Sequence, residues 1–244
     1  MARLELPDVT LVSVDTVCHD LTTLAIEDCT RHVKFGDVKR FTDMERCEGS
    51  IYISSFSTLE EAGAFTAYTL PKYIKTKFAL FIHWDSWIID PAMWCDEFLK
   101  YDYIGAPWWY KDGFNVGNSG FHIRSKALMD FLASNGKDFP LTMPEDAVLC
   151  RQYQPLLPQF TWAPEELASK FAFERSRPSI ESRHFGFHGM FNWPFVLTPE
   201  RLAERMSLAK ANPYVRKTGM LRELDLTWFN LWGHYGSNAT IYRG

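Results

Sequence analysis

The chain has little of what several common protein classes require. It carries a net charge of -4, so it lacks the basic surface expected of a nucleic-acid-binding protein. No apolar run approaches the roughly 20 residues of a membrane-spanning helix. The first residues also lack the basic, apolar and small-residue order of a secretory signal. We therefore expect no nucleic-acid partner and no transmembrane segment.

Cysteine is scarce, scattered and odd in number, and it forms no Cys-x-x-Cys pair. This pattern excludes a disulfide framework and a thiolate zinc site. We expect reduced, mostly buried thiols in a cytoplasmic protein, with peripheral association at the inner face of a membrane left open. The five positions are Cys18, Cys29, Cys47, Cys95 and Cys150.

Aromatic residues, by contrast, are abundant: they make up 16% of the chain and include nine Trp. Most are expected to fill the core. Three clusters are less easily explained by core packing, because the indole N–H needs a partner, and they are candidates for stacking on sugars. These clusters are Trp84–Trp87, Trp108–Trp109 and Trp228–Trp232.

The beginning of the chain predicts a β-α-β unit. Val9–Val14 is a near-continuous apolar, β-branched run, as in a buried parallel strand. Asp20–Val33 has helical spacing and is expected to end at Gly36, and Val38–Phe41 is a second short strand. Polar residues follow both strands, where ligands bind in open α/β sheets.

The remaining pattern predicts alternating helices and strands, short strands and loops after Pro155, and a tail from Leu221 that packs back. Expected helices are Thr58–Tyr73, Pro91–Leu99, Lys126–Ser134, Glu145–Arg151 and Pro199–Ala211; expected strands are Phe78–Ile82, Tyr103–Ile104 and Phe121–Arg124. With 244 residues and 46% hydrophobic content, we predict one α/β domain, a mostly parallel central sheet flanked by helices, and a helical C-terminal segment. We divide it into residues 1–100, a nucleotide-binding half, 101–196, an acceptor and catalytic half, and 197–244.

Asp85 is the first candidate for chemistry, because it follows the apolar strand Phe78–Ile82. A carboxylate at a strand end can hold Mg²⁺ or Mn²⁺ against phosphate oxygens, or simply cap the next turn. His83 is a possible second ligand or a donor to phosphate.

Two further features carry polar groups at turns. Asn118-Ser119-Gly120 predicts a tight turn whose glycine lets the backbone approach a ligand, or an ordinary hairpin. Glu145 and Asp146 open a helix, where acidic residues stabilise the N-terminus or, if partly buried, act as a general base.

Four segments, HWDSW, YDYIGAPW, GNSGFHIRS and PEDAVLC, together resemble a bacterial family related to GT-A-fold nucleotide-sugar glycosyltransferases. The resemblance covers Phe78 to about Asn192 and implies a GT-A-like, Rossmann-like fold. In that fold an Asp-x-Asp element holds the metal and the nucleotide diphosphate. Here the matching residues are His83, Trp84 and Asp85, so His83 replaces the first Asp. The resemblance implies a need for Mn²⁺ or Mg²⁺, and the loss of this carboxylate weakens that expectation.

The resemblance also implies roles for the other candidates. Asn118, Ser119 and Gly120 would lie under the sugar and the acceptor. Asp146 would be the catalytic base of an inverting reaction, with Glu145 holding the acceptor. A late histidine, His188 with His184 as its competitor, would complete the metal shell, and the strand-end residues Asp15, Thr16 and Asp43 would contact the nucleoside.

The sequence therefore predicts a hexosyl- or deoxyhexosyltransferase that moves a sugar from a nucleotide-diphosphate sugar to a glycan, lipid-linked glycan or other hydroxyl acceptor, in bacterial surface polysaccharide synthesis. Two alternatives stay open: a non-catalytic glycan-binding module and a sugar nucleotidyltransferase. The latter is less favoured, because a triphosphate loop is rich in Gly and basic residues whereas Asp15–Asp20 has neither Gly nor Lys.

Overall fold

The computed structural model describes residues 3–222 and 224, apart from 46 and 176–181. Its strands are β1 (Leu4–Asp15), β2 (Val33–Thr42), β3 (Ser50–Tyr52), β4 (Phe78–Ile82), β5 (Trp87–Ile88), β6 (Tyr103–Ile104), β7 (Ala106–Pro107), β8 (Val116–Gly117), β9 (Phe121–Ser125), β10 (Ala172–Phe173) and β11 (Gly186–Phe187). Its helices are α1 (His19–His32), α2 (Leu59–Ala64), α3 (Lys126–Ser134), α4 (Glu145–Ala147), α5 (Glu165–Phe171), α6 (Trp193–Val196), α7 (Pro199–Ala211) and α8 (Pro213–Lys217).

A six-stranded sheet in the order β3-β2-β1-β4-β9-β6 forms the centre of the molecule. The first four strands are parallel. β9 runs antiparallel to both β4 and β6 and is the one strand of this sheet that points the other way. The predicted mixed α/β architecture with a mostly parallel central sheet is confirmed.

The central strands β1 and β4 are buried on both faces, which explains why the sequence of each contains a near-continuous apolar run. Leu11 and Leu80 pack on one face with α1, α5 and α7. Val12 and Phe81 pack on the other face with the segment after α2 and with α3. Successive side chains of a strand point to opposite faces, so each apolar run supplies two cores at once.

The predicted β-α-β opening is present, with one correction. Gly36 does not end the helix: α1 ends at His32 and Gly36 lies inside β2. A Cβ at position 36 would lie 2.0 Å from the carbonyl oxygen of Pro7. Glycine is therefore needed for the close approach of β1, where the register shifts between Leu6 and Thr10.

The predicted helix Thr58–Tyr73 forms, but its pitch changes twice. Thr58 caps α2 by accepting a hydrogen bond from the N–H of Glu61 at 3.2 Å. The helix then widens to a π turn over Phe65–Thr69 and tightens to a 3₁₀ turn over Leu70–Tyr73. Pro71 explains the change, because its ring lacks an N–H and clashes with the carbonyl four residues earlier.

Three other expectations need correction. Pro91–Leu99 is not one helix but two 3₁₀ turns, Pro91–Met93 and Asp96–Lys100, separated by Trp94 and by Cys95, which is extended. The helix expected over Glu145–Arg151 is α4 followed by a π turn, Val148–Tyr153. The segment after Pro155, expected to hold short strands and loops, contains helix α5.

The helical C-terminal segment is present as α7 and α8. A buried ion pair fixes α7 to α1: Arg205 Nη2 donates to Asp28 Oδ2 at 2.5 Å. The same guanidinium lies 4.0 Å above the Trp87 ring. Most of the tail from Leu221, including Trp228–Trp232, lies outside the described residues.

The other tryptophan clusters are largely core. Trp84, Trp87 and Trp108 are buried, and Trp109 is exposed at 59%. The expectation that these clusters stack on sugars is therefore wrong for Trp87 and Trp108, whose rings pack against protein.

Candidate active site

The end of β4 and the start of β9 lie side by side, because the two strands are antiparallel neighbours in which Ile82 faces Phe121. The N–H of His83 donates to the carbonyl of Gly120 at 3.0 Å. Ser86 Oγ donates to the same carbonyl and accepts from the N–H of His83. The His83–Asp85 segment and the Asn118–Gly120 turn are thus one connected structure.

Asn118 organises this turn. Its backbone φ is +91°, a left-handed conformation that is uncommon outside glycine. Its Oδ1 accepts from the N–H groups of Gly120 at 2.9 Å and Phe121 at 2.8 Å. These bonds hold the strained turn, as expected where backbone geometry serves a site.

His188 reaches the same place from the distant strand β11. Its Nε2 lies 3.4 Å from Asp85 Oδ1, and its Nδ1 lies 3.2 Å from Glu174 Oε1. A Cβ at Gly120 would lie 2.1 Å from the His188 ring. Glycine is therefore required for the approach of the His188 ring, whereas the predicted approach of the backbone to a ligand at Gly120 stays a prediction.

The charges of this group are strongly coupled. Burial disfavours a charged imidazole, but Asp85 and Glu174 outweigh it and raise the pKa of His188 to about 10. Burial likewise opposes the charge of Asp85, but His188 and the N–H of Met190 lower the pKa of that carboxyl. Burial, and then the charge of His188, lowers the pKa of His83, so its ring is neutral.

The group fits a divalent cation. His83, Asp85 and His188 each offer one ligand atom, and these atoms lie within 4.8 Å of one another. A neutral imidazole and a carboxylate are metal ligands in proteins, and His188 must release a proton to join them. Glu174 holds the far nitrogen of His188, as carboxylates behind metal-binding histidines do. The structure thus brings together the three residues predicted as ligands.

The two acidic residues at the start of α4 have different surroundings. Glu145 forms a buried ion pair with Arg124, in which the carboxylate is 8% and the guanidinium 1% exposed. Asp146 instead accepts from the N–H of Ser119 at 3.1 Å, so it joins the turn described above. Burial raises the pKa of Asp146.

The strand-end residues Asp15 and Asp43 are joined by a histidine. His19 Nδ1 lies 3.2 Å from Asp15, and its Nε2 lies 3.1 Å from Asp43. Asp15 also accepts from the N–H groups of Val17 at 3.3 Å and Cys18 at 2.9 Å. Contacts of these carboxylates with a nucleoside stay a prediction.

A cavity of about 340 Å³ opens at these strand ends. Phe81, His122 and Met143 are among the other residues that line it. Six predicted site residues line it as well: Asp15, Thr16, His83, Trp84, Ser119 and Glu145.

Sequence reasoning missed His19, Arg124, Glu174 and His122. Glu174 directly follows β10, so the strand-end rule that singled out Asp85 could have found it if β10 had been recognised. Arg124 and His122 lie within the segment GNSGFHIRS. They are on a strand in which polar and apolar residues alternate, which is the ordinary pattern of a strand with one polar face. No local signal marks His19 as the partner of two carboxylates.

The strand order, with one antiparallel strand inserted next to β4, places the fold among GT-A-like α/β folds. A glycosyltransferase involved in the glycosylation of the major capsid of PBCV-1 has a similar structure, with a TM-score of 0.50 and 13% identity over 82% of this chain and 98% of that chain. The predicted GT-A-like fold is confirmed.

Two other solved glycosyltransferases are similar at lower scores. The galactosyltransferase LgtC, in complex with donor and acceptor sugar analogues, has a TM-score of 0.46 and 12% identity over 84% of this chain and 96% of that chain. GlyE of Streptococcus pneumoniae TIGR4 has a TM-score of 0.44 and 10% identity over 91% of this chain and 63% of that chain.

By sequence, residues 65–188 match the model of a family described as a protein of unknown function, DUF5672. The match spans just over half of the chain, which belongs to this family. No curated protein matches the chain. Among the described residues, no helix has the length and apolarity needed to cross a membrane.

Proposed function

We propose that this protein is a glycosyltransferase that moves a sugar from a nucleotide-diphosphate sugar to a hydroxyl acceptor, with a glycan as the expected acceptor. One observation carries the proposal. The His83–Asp85–His188 group, the Asn118–Gly120 turn and Asp146 converge beside a cavity at the strand ends of a GT-A-like sheet. A role in surface polysaccharide synthesis stays an expectation from the resemblance.

On the donor side, the three ligand residues would hold a divalent cation that neutralises the charge of the leaving diphosphate. Two imidazoles and one carboxylate favour Mn²⁺ over Mg²⁺, which prefers oxygen ligands. The N–H of Met190 donates to Oδ2 of Asp85 at 3.1 Å and orients the carboxylate, which supports this role. Glu174 keeps His188 turned so that its Nε2 faces Asp85.

On the acceptor side, Asp146 is the group we assign as general base of an inverting reaction. Its pKa is raised, which makes the carboxylate a better proton acceptor than an ordinary aspartate. The N–H of Ser119 orients one of its oxygens. Glu145 is less suited to this task, because Arg124 already holds its carboxylate.

The alternatives find less support. A nucleotidyltransferase needs free N–H groups in the loop after β1 to bind a triphosphate. Here the carboxylate of Asp15 already accepts from the N–H groups of Val17 and Cys18. A glycan-binding module would rely on exposed aromatic platforms, and of the two described tryptophan clusters only Trp109 is exposed, whereas Trp84, Trp87 and Trp108 are buried.

Nucleotide binding tests the proposal directly. Thermal shift and calorimetry with UDP, GDP, dTDP and CMP, each with Mn²⁺ or with EDTA, should identify one nucleotide whose binding Mn²⁺ strengthens. Asp85→Asn should weaken that binding. Asp8→Asn is the matched control. Asp8 forms an exposed ion pair with Lys77, which directly precedes β4, whereas Asp85 follows the opposite end of that strand.

The outcomes separate the parts of the proposal. Absence of binding to any of these nucleotides would remove the transferase function. Binding that EDTA leaves unchanged would remove only the metal. Transfer to an acceptor is then measured as release of the nucleoside diphosphate from the matching nucleotide sugar.

A further inference from the structure

His122 occupies an unusual position in the wall of the cavity. Its ring is stacked between two aromatic rings, Phe81 at 4.7 Å and Tyr103 at 5.2 Å, with interplanar angles of 8° and 10°. Phe81 is its cross-strand partner on β4. The stack fixes the plane of the imidazole, so its two nitrogens point in fixed directions.

Among the described residues, neither nitrogen of this buried ring has a hydrogen-bond partner of good geometry; the backbone of Ser119 lies close enough to act on the ring but not in hydrogen-bond geometry. The side chain is 1% exposed. Burial, and then the charge of Arg124, lowers the pKa of His122 well below its usual value, although the nearby backbone of Ser119 acts slightly in the opposite direction. The ring is therefore neutral and offers one donor and one acceptor.

An unsatisfied polar group of this kind costs stability, so a ligand that supplies the missing partner is a natural explanation. A neutral imidazole suits a hydroxyl group, which can both accept and donate. A phosphate would use only the N–H, because ionised phosphate oxygens accept but do not donate.

The rest of the cavity wall fits a sugar. Ser119, Thr66 and Glu145 offer polar groups, whereas Phe81, Leu59 and Met143 offer apolar surface. Sugars present both hydroxyl groups and C–H faces, and small-molecule sites combine apolar walls with a few placed polar groups in this way. The volume of about 340 Å³ lies in the range of small-molecule sites.

We propose that His122 hydrogen-bonds a hydroxyl group of the donor sugar and thereby helps to select which sugar this protein transfers. This inference rests on the proposed function. The nucleoside is assigned to strand-end residues, two of which, Asp15 and Thr16, line the same cavity as His122, so the test has to separate a contact with the sugar from a contact with the nucleotide.

The test compares a nucleotide sugar with its own nucleoside diphosphate. The probes are UDP-glucose, UDP-galactose, GDP-mannose and dTDP-rhamnose, of which the one with the nucleotide found above is used. His122→Phe keeps the ring stack and removes both nitrogens. It should weaken binding of the nucleotide sugar roughly 10-fold, the worth of one or two hydrogen bonds, and leave the affinity for the nucleoside diphosphate unchanged.

Two controls isolate the effect. Thr22→Val removes another buried polar group without a partner, on α1 and outside the cavity lining, and should change neither affinity. In the wild-type protein, deoxyfluoro analogues of the same nucleotide sugar replace one hydroxyl at a time. One analogue should bind roughly 10-fold more weakly, and His122→Phe should abolish that difference. The comparison of analogues on the wild-type protein needs no variant to fold.

Each result decides something. Equal weakening of nucleotide and nucleotide sugar by His122→Phe would assign His122 to the nucleotide or to the fold and overturn the inference. Unchanged affinity for both, or deoxyfluoro analogues that all bind like the parent sugar, would overturn it too. Absence of any nucleotide binding to the wild-type protein would instead remove the proposed function, and this inference with it.

Discussion

Glu145 and Asp146 are neighbours in sequence, but their environments predict opposite consequences of mutation. Glu145→Gln leaves Arg124 buried without its carboxylate, and the Nε of that guanidinium has no other partner in the described structure. Asp146→Asn removes a half-buried carboxylate whose charge is disfavoured and keeps an oxygen that can accept from Ser119. The first change should act on stability and the second on turnover.

The magnitudes follow from burial. Removing one partner of a buried ion pair costs about 3–5 kcal/mol. Glutamine keeps an acceptor, so we expect the lower end, about 3 kcal/mol, or roughly 6–12 °C in melting temperature for a chain of this size. Asp146→Asn removes the cost of burying a charge, which offsets the loss of one acceptor oxygen, so stability should change by at most about 1 kcal/mol. Its turnover should fall by about 10²–10⁴-fold, with nucleotide binding intact.

Urea unfolding and calorimetric nucleotide binding measure both variants on the same preparation. Arg124→Met supplies the control: combined with Glu145→Gln it should be no less stable than either single variant. The reasoning is refuted if Glu145→Gln is as stable as the wild type. If Asp146→Asn keeps most of its activity while folded Glu145→Gln is inactive, the two roles are reversed. Two active variants would show that the acidic pair only stabilises the start of α4.

Three further predictions concern the site and its support. Gly120→Ala should abolish Mn²⁺ binding measured by calorimetry, because its Cβ would lie 2.1 Å from the His188 ring, while circular dichroism stays unchanged; retained binding would contradict the close approach. In a profile of kcat/KM against pH, activity should rise as Asp146 ionises, with the acid limb above its ordinary pKa of 3.8 because burial raises that pKa; a limb below 3.8 would exclude Asp146 as base. Asp28→Asn should lower the free energy of unfolding by about 3 kcal/mol, since it leaves the buried Arg205 without its counter-charge although asparagine keeps an acceptor, and an unchanged urea midpoint would contradict this.

Local periodicity was sufficient to predict much of the sheet. The runs Val9–Val14 and Phe78–Ile82 both lie in central strands, since a strand buried on both faces is predominantly apolar. Helix starts such as Thr58 were predictable because capping is a contact between residues close in sequence. Pitch changes within helices were not, because they depend on how each turn packs.

Part of the site was predictable for the same reason. Asp85 follows a strand, Asn118 and Gly120 form a turn, and Asp146 opens a helix, so each carries a local signal. The departure of His83 from the Asp-x-Asp pattern was also visible in sequence. The structure adds that the His83 ring is neutral and lies within reach of the other two ligands.

Only the tertiary structure decided which of these residues meet. The antiparallel pairing of β9 with β4 brings the Asn118–Gly120 turn beside His83, and no local pattern encodes that pairing. His188 and Glu174 come from the ends of two short strands that pair with each other far along the chain. The sequence by itself determined which side chains stand at the ends of strands and turns. Long-range strand pairing and burial decided that Glu145 binds Arg124, that Asp146 keeps a raised pKa, and that His122 is enclosed between two rings, because these properties depend on neighbours that are distant in sequence.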